Sequence, residues 1–130
     1  MMGLCQAEGI GVIPWSPLAR GRVARPWEQK ESTQRSGKDE FAKKLYGKTE
    51  ESDRAVVERV AEIAKKRGVP QAQVALAWVL HKPYVTSPIV GATKPQHLVD
   101  AVAATSLKLA AEEISALEEP YVPHAIVGYA

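Results

Sequence analysis

Two short loops carry the residue types that suit an anionic ligand. The first reads Trp15-Ser16-Pro17-Leu18-Ala19-Arg20-Gly21-Arg22, small residues and a glycine accompanied by two arginines. The second is Gly91-Ala92-Thr93-Lys94, again small residues ending in a cation, with Pro95 opening a helical stretch behind it. Each loop follows an apolar run, Ile10 to Trp15 and Val85 to Val90, with the pattern of a strand buried between layers. In α/β proteins the loops at the C-terminal ends of such strands are where ligands are held. Each residue also has a plainer use. Trp15 packs well at a strand end with or without a ligand, and Gly91 serves as a strand-to-helix turn.

Other chemistries find little support. His81, His97 and His124 lack metal-ligand spacing and have no cysteine or carboxylate cluster beside them, so they read as structural or exposed. Cys5 is the only cysteine. It has no activating partner in the sequence, excludes an intrachain disulfide, and fits a reducing, cytoplasmic setting. The net charge of +2 is too mild for a nucleic-acid surface. No apolar run approaches the roughly 20 residues that span a bilayer, and the start, Met1-Met2-Gly3-Leu4-Cys5, has no signal-peptide layout. Charge is uneven along the chain: between Arg20 and Glu50, nine basic residues face five acidic ones. This makes a local positive field beside the first loop, or simply a solvated connection.

The rest of the chain supplies elements to position the two loops. Met2 to Glu8 reads as a few helical turns stopped by Gly9. Pro14 weakens ladder pairing within the first strand, and Pro17 commits Ser16 to a turn. Residues 22–48 form a long polar loop with Pro26, Gly37 and Gly47, and a helical turn is expected at Asp39 to Leu45. A clear helix follows. Thr49 is its expected cap, Glu50, Glu51 and Asp53 sit at its start, and Val56, Val60 and Ile63 recur on one face with Val57, Ala61 and Ala64. Gly68 stops it and Pro70 opens the next. From Ala72 to Leu80 this second helix is apolar nearly all round, which predicts burial with Trp78 as its largest anchor. After the second strand, Gln96 to Ala104 is expected to turn Leu98, Val99 and Val102 inward. Ala110 to Leu117 closes the helices with Ile114 and Leu117 on its buried side, and residues 120–130 form a loose tail. Strands alternating with helices predict an α/β fold, a parallel sheet with right-handed crossovers.

Trp15-Ser16-Pro17-Leu18-Ala19-Arg20-Gly21, followed at the right distance by Pro88-Ile89-Val90-Gly91-Ala92-Thr93, resembles the aldo-keto reductase family. The resemblance extends over nearly the whole chain and includes the helix Gln73-Val74-Ala75-Leu76-Ala77-Trp78-Val79-Leu80. It implies an NADPH-dependent oxidoreductase reducing aldehydes or ketones on a (β/α)8 TIM barrel, with the active site at the C-terminal strand ends. The two strands here would be the seventh and eighth. The chain would then be a single C-terminal piece, residues 1–130, a partial barrel of two parallel strands with covering helices. By this resemblance Trp15 stacks on the nicotinamide, and Ser16, Pro17, Leu18, Ala19 and Gly21 line the pyrophosphate, with Arg20 and Arg22 adding charge. Gly91, Ala92, Thr93 and Lys94 hold the adenosine 2′-phosphate, Lys94 being the reason to expect NADPH over NADH. His97 stands where relatives carry a glutamine that contacts the adenosine, and Ala101 where they carry an asparagine that grips the adenine. Both changes weaken the adenine end.

The family's catalytic tetrad is an aspartate, a tyrosine, a lysine and a histidine, all on strands before the seventh. Tyr46, Tyr84, Tyr121 and Tyr129 do not match the catalytic position, so no catalytic residue is assigned in this chain. Two parallel strands alone make a poor sheet. Their edges and the apolar helix surface predict either self-association or docking with an N-terminal half that supplies the carbonyl-binding loops.

Overall fold

The computed structural model describes residues 1–29 and 50–123. The expected helical turn at Asp39 to Leu45, the Thr49 cap and the tail from His124 lie outside the described residues. Among the described residues there are five α-helices: α1 (Met2–Ala7), α2 (Glu50–Arg67), α3 (Gln71–His81), α4 (Pro95–Ala104) and α5 (Ala111–Glu118). Two 3-10 segments, Ala19–Ala24 and Trp27–Gln29, begin within and after the first loop, the former broken by a kink at Arg20 and Gly21.

Helix α2 forms where charge and periodicity agree. Glu50, Glu51 and Asp53 occupy its first turn and Lys65, Lys66 and Arg67 its last, which complements the helix dipole. Val57, Val60, Ile63 and Ala64 lie on its buried face. Pro70 is the N-cap residue of α3 rather than its first helical residue. As expected, α3 is the most buried element: Val74 is 0% exposed and Leu76 2%. The core gathers Val60, Ile63, Ala64, Val74 and Leu117, with Val69, Trp78, Leu107 and Leu109 packed around them.

Ion pairs tie α5 down around that core. Arg67 forks onto Glu113, with Nε 2.7 Å from Oε1, and also reaches the Lys108 carbonyl at 3.2 Å. Arg59 donates to the Ala116 carbonyl at 2.9 Å and to Glu119 at 3.0 Å. Glu118 accepts from the Trp78 indole at 3.0 Å and pairs with Lys82, whose ammonium lies 4.3 Å from the Trp78 ring centre. Trp78 therefore works as an anchor with a polar handle, half-buried rather than enclosed.

The two expected strands are reduced to two isolated parallel bridges, Val12 with Val85 and Trp15 with Ile89. Thr86 donates to the Val12 carbonyl at 2.8 Å and Ile89 to the Pro14 carbonyl at 2.9 Å. The direction is as expected, but the extent is not. Pro14 and Pro88 have no amide proton, so neither can donate to a ladder. From bridge to bridge the first segment advances three residues and the second four, which breaks the register between them. At the start of the pair Gly11 lies against the Thr86 side chain: a Cβ there would be 2.6 Å from the hydroxyl.

The inward face expected for α4 is a second difference. Leu98, Val99 and Val102 are 59%, 58% and 61% exposed. The helix is instead seated through Ala104, which is 1% exposed, and through Asp100, which accepts from Gln73 of α3 at 3.0 Å. Small residues allow close helix approach, and the larger apolar side chains are left on the outside. Among the described residues no helix is long and apolar enough to cross a membrane.

Candidate functional site

The Trp15–Ile89 bridge fixes the geometry of the candidate site. Because the pairing is parallel, both chains leave it in the same direction. The Ser16 loop and the Gly91 loop therefore emerge side by side at the C-terminal end of the pair. Trp15 is 62% exposed and Ile89 54%, so one face of the bridged pair, including the indole, is open.

The first loop has an uncommon backbone. Ser16, Ala19 and Arg20 have φ of 48°, 47° and 56°, and Gly21 has 94°. Three non-glycine residues in the left-handed region within five positions is rare, and such conformations gather at ligand-binding turns. Two turn bonds hold the shape, Ala19 donating to the Ser16 carbonyl at 2.9 Å and Gly21 to the Leu18 carbonyl at 2.8 Å. Ser16, Pro17, Leu18, Ala19, Arg20 and Gly21 are all half-buried. At Gly21 the positive φ favours glycine, and the tip of the Arg25 guanidinium occupies the space a Cβ would take. Arg25 donates from Nε to the Gly21 carbonyl at 3.2 Å. Nothing in the spacing of charges marked Arg25 as part of this turn; its only sequence signal was membership of the basic run from Arg20.

Arg22, next along the chain, contacts α2 and a neighbouring ring. Its guanidinium lies 3.6 Å from the Asp53 carboxylate of α2 and 4.9 Å from the centre of the Trp27 ring.

The second loop, Gly91, Ala92, Thr93 and Lys94, is exposed throughout. Lys94 is the extended N-cap of α4 and Pro95 its first residue. Thr93 Oγ1 and His97 Nδ1 are 3.3 Å apart across the first turn. His97 thus sits beside Thr93 on the outer surface, at the end of the loop where the adenosine side was expected. Gln96 donates to Asp100 at 3.1 Å, and Asp100 is shared with Gln73. This network sets α4 against α3 and so orients the loop. A cavity of about 190 Å³ lies behind it, lined by Leu76, Leu80, Pro88, Val90 and Val102. Ser87, Ala101 and Thr105 complete its lining, which contains no charged group.

The arrangement suits a long anionic ligand laid across both loops. The left-handed turn can approach a phosphate with backbone, the α4 terminus carries the helix dipole, and Arg20 and Lys94 supply charge. Tyr84 immediately precedes Val85, at the opposite end of the pair, and Tyr121 follows α5. Among the described residues no group of three or more His, Cys, Asp or Glu is placed to hold a metal.

Comparison with known proteins gives a consistent answer. The sequence pattern of the Aldo/keto reductase family matches residues 1–121. The chain is 43% identical over 126 residues to versiconal hemiacetal acetate reductase of Aspergillus parasiticus, covering 97% of this chain and 36% of that protein. It is 40% identical over 125 residues to an aldo-keto reductase of Metarhizium robertsii, covering 96% of this chain and 33% of that protein. A Fusarium vanettenii aldo-keto reductase is 39% identical over 130 residues, 99% of this chain and 34% of the relative. The chain thus spans about a third of the length of these relatives. Their family is one of oxidoreductases that use nicotinamide dinucleotides and carbonyl substrates on a (β/α)8 barrel. With the match running from Met1 to Tyr121, through both loops and every described helix, the chain belongs to the aldo/keto reductase family.

Proposed function

We propose that this chain is the C-terminal, NADPH-binding portion of an aldo-keto reductase, corresponding to the last two strand–helix units of the barrel as a single unit over residues 1–130. The observation that supports this most is the parallel Trp15–Ile89 bridge, which sends both loops out at one end. Bound there, NADPH supplies the hydride for reducing an aldehyde or ketone. The chain's own residues bind and orient. The open Trp15 ring offers a stacking face for the nicotinamide, and the turn from Ser16 through Pro17, Leu18, Ala19 and Arg20 to Gly21 takes the pyrophosphate. Gly91, Ala92, Thr93 and Lys94 at the α4 terminus take the 2′-phosphate, with His97 beside Thr93 at the adenosine side. Lys94 selects NADPH over NADH through charge. By itself the chain binds without turnover, because none of its tyrosines matches the position of the family's proton donor.

Titration with NADPH, followed by tryptophan fluorescence, tests this. Quenching at micromolar NADPH, lost in Trp15→Phe, is expected. Lys94→Ala should weaken NADPH by about tenfold at low salt, the scale of one charge-assisted contact, and leave NADH unchanged. Absence of quenching, or equal response to both nucleotides in the unaltered chain, contradicts the reading. Oxidation of NADPH by the pure chain with a simple aldehyde contradicts the no-turnover part.

One observation favours a second role, assembly. Ile13, Trp15 and Ile89 on the bridged pair, and Leu98, Val99 and Val102 on α4, are more than half exposed, and apolar surface of this kind marks association. A stable oligomer in sedimentation, or recovery of reductase activity on mixing with a separately made N-terminal half, supports that role. A monomer that does neither counts against it.

A further inference from the structure

We propose that Arg22 is a positioning residue and not a nucleotide ligand: Asp53 and Trp27 clasp its guanidinium and so hold the Ser16–Gly21 turn in its left-handed form. This rests on the nucleotide reading of that turn and adds to it a control point on α2. The Arg22 side chain is 17% exposed and that of Asp53 24%, so both are largely removed from solvent. Guanidinium is the cation suited to this place, since its plane can face an indole while its edge meets a carboxylate.

The position of Arg22 in the chain gives the clasp its leverage. The turn has two ends. Its entry is fixed at Trp15 by the bridge to Ile89, and its exit is Gly21, directly before Arg22. Between them lie the left-handed Ser16, Ala19 and Arg20, each disfavoured for a residue with a Cβ. A segment of this kind relaxes unless both ends are held. Arg25 secures the Gly21 carbonyl from below at 3.2 Å, while Arg22 carries the chain across to α2. The first turn of α2 holds Asp53, so the placement of this helix sets the shape of the loop.

Digestion of the intact chain with trypsin, without nucleotide, tests the clasp. Arg20–Gly21 and Arg22–Val23 are cleavable bonds, whereas Arg25–Pro26 resists. Removing a partly buried ion pair frees the loop to open locally, so Asp53→Asn should raise cleavage at these two bonds about threefold or more. Cleavage after Lys65 and Lys66 in α2 should be unchanged, which separates loop release from general unfolding. Asp53→Glu should restore protection, Trp27→Leu should lose it in part, and Glu58→Gln on the same helix should have no effect. The same Asp53→Asn chain should bind NADPH about threefold more weakly. Equal loop cleavage in Asp53→Asn and the unaltered chain overturns the clasp, as does a parallel rise at Lys65 and Lys66. Failure of the unaltered chain to bind NADPH overturns the nucleotide reading instead, and the digestion contrast still decides the clasp.

Discussion

Val74 on α3 is fully buried, whereas Trp15 and Ile89, bridged to one another, are each more than half exposed. The two environments divide the molecule. On one side α2, α3 and α5 enclose an aliphatic core and lock it with arginine–glutamate pairs at the edge. On the other, two chain segments meet at two points, with an apolar face open and α4 showing Leu98, Val99 and Val102 outward. The helical side closes on itself. The strand side sets Pro88 and Val90 beside Leu76 and Leu80 of α3 but leaves Trp15 and Ile89 open, and the features proposed to bind nucleotide are all on that side. Stability and the proposed binding thus fall to different residues, with Asp53–Arg22 and Gln73–Asp100 as contacts between the two sides.

Mutations can break that division, and the largest effect should come from the helical core. Leu76→Ala, at 2% exposure, should cost about 3 kcal/mol in denaturant unfolding, the range for a buried leucine truncated in a packed core. Ile13→Ala, at 61% exposure, should stay within about 0.5 kcal/mol. Similar costs at the two positions would show that the strand pair carries stability after all.

Next in size is Gly21→Ala. It meets both the left-handed φ of 94° and the Arg25 guanidinium, for a cost of about 1–2 kcal/mol. NADPH binding should fall together with stability, since the strained turn is the one feature that serves both.

A smaller, pH-dependent effect belongs to α5. The Arg67 guanidinium holds the Glu113 carboxyl down at about 2, against an ordinary value of 4.5, and the Ala110 amide bonds it as well. A carboxyl whose folded value is depressed stabilises the fold fully above its unfolded value and loses that contribution as pH falls through the folded one. The melting-temperature gap between the unaltered chain and Glu113→Gln should therefore be constant above about pH 5 and close on the way to about pH 2. Solvent around both side chains, 35% and 20% exposed, keeps the effect modest. A gap that widens in acid would contradict it.

The helices were legible in the sequence because their signals are local. Val57, Val60, Ile63 and Ala64 repeat with helical period, and Gly68 and Pro70 punctuate the chain where α2 ends and α3 begins. The position of both loops was legible too, from apolar runs ending in small residues. Three features were not. The shortness of the strand pair depends on Pro14 and Pro88 facing a partner segment, and on a register that slips by one between them. The outward turn of Leu98, Val99 and Val102 follows from the seat that Ala104 and Asp100 take on α3, and periodicity alone cannot choose between two apolar faces. The contacts of Arg22 lie on another helix, at Asp53, and on the Trp27 ring, and no local spacing in the sequence points to either.

The central claim is that one ligand is held by both loops at once. Amide hydrogen exchange with and without NADPH tests this most directly. Exchange should slow together in residues 16–22 and 91–97 on addition of NADPH, with the α2–α3 core unchanged. Slowing in only one of these segments, or in neither, would contradict the account.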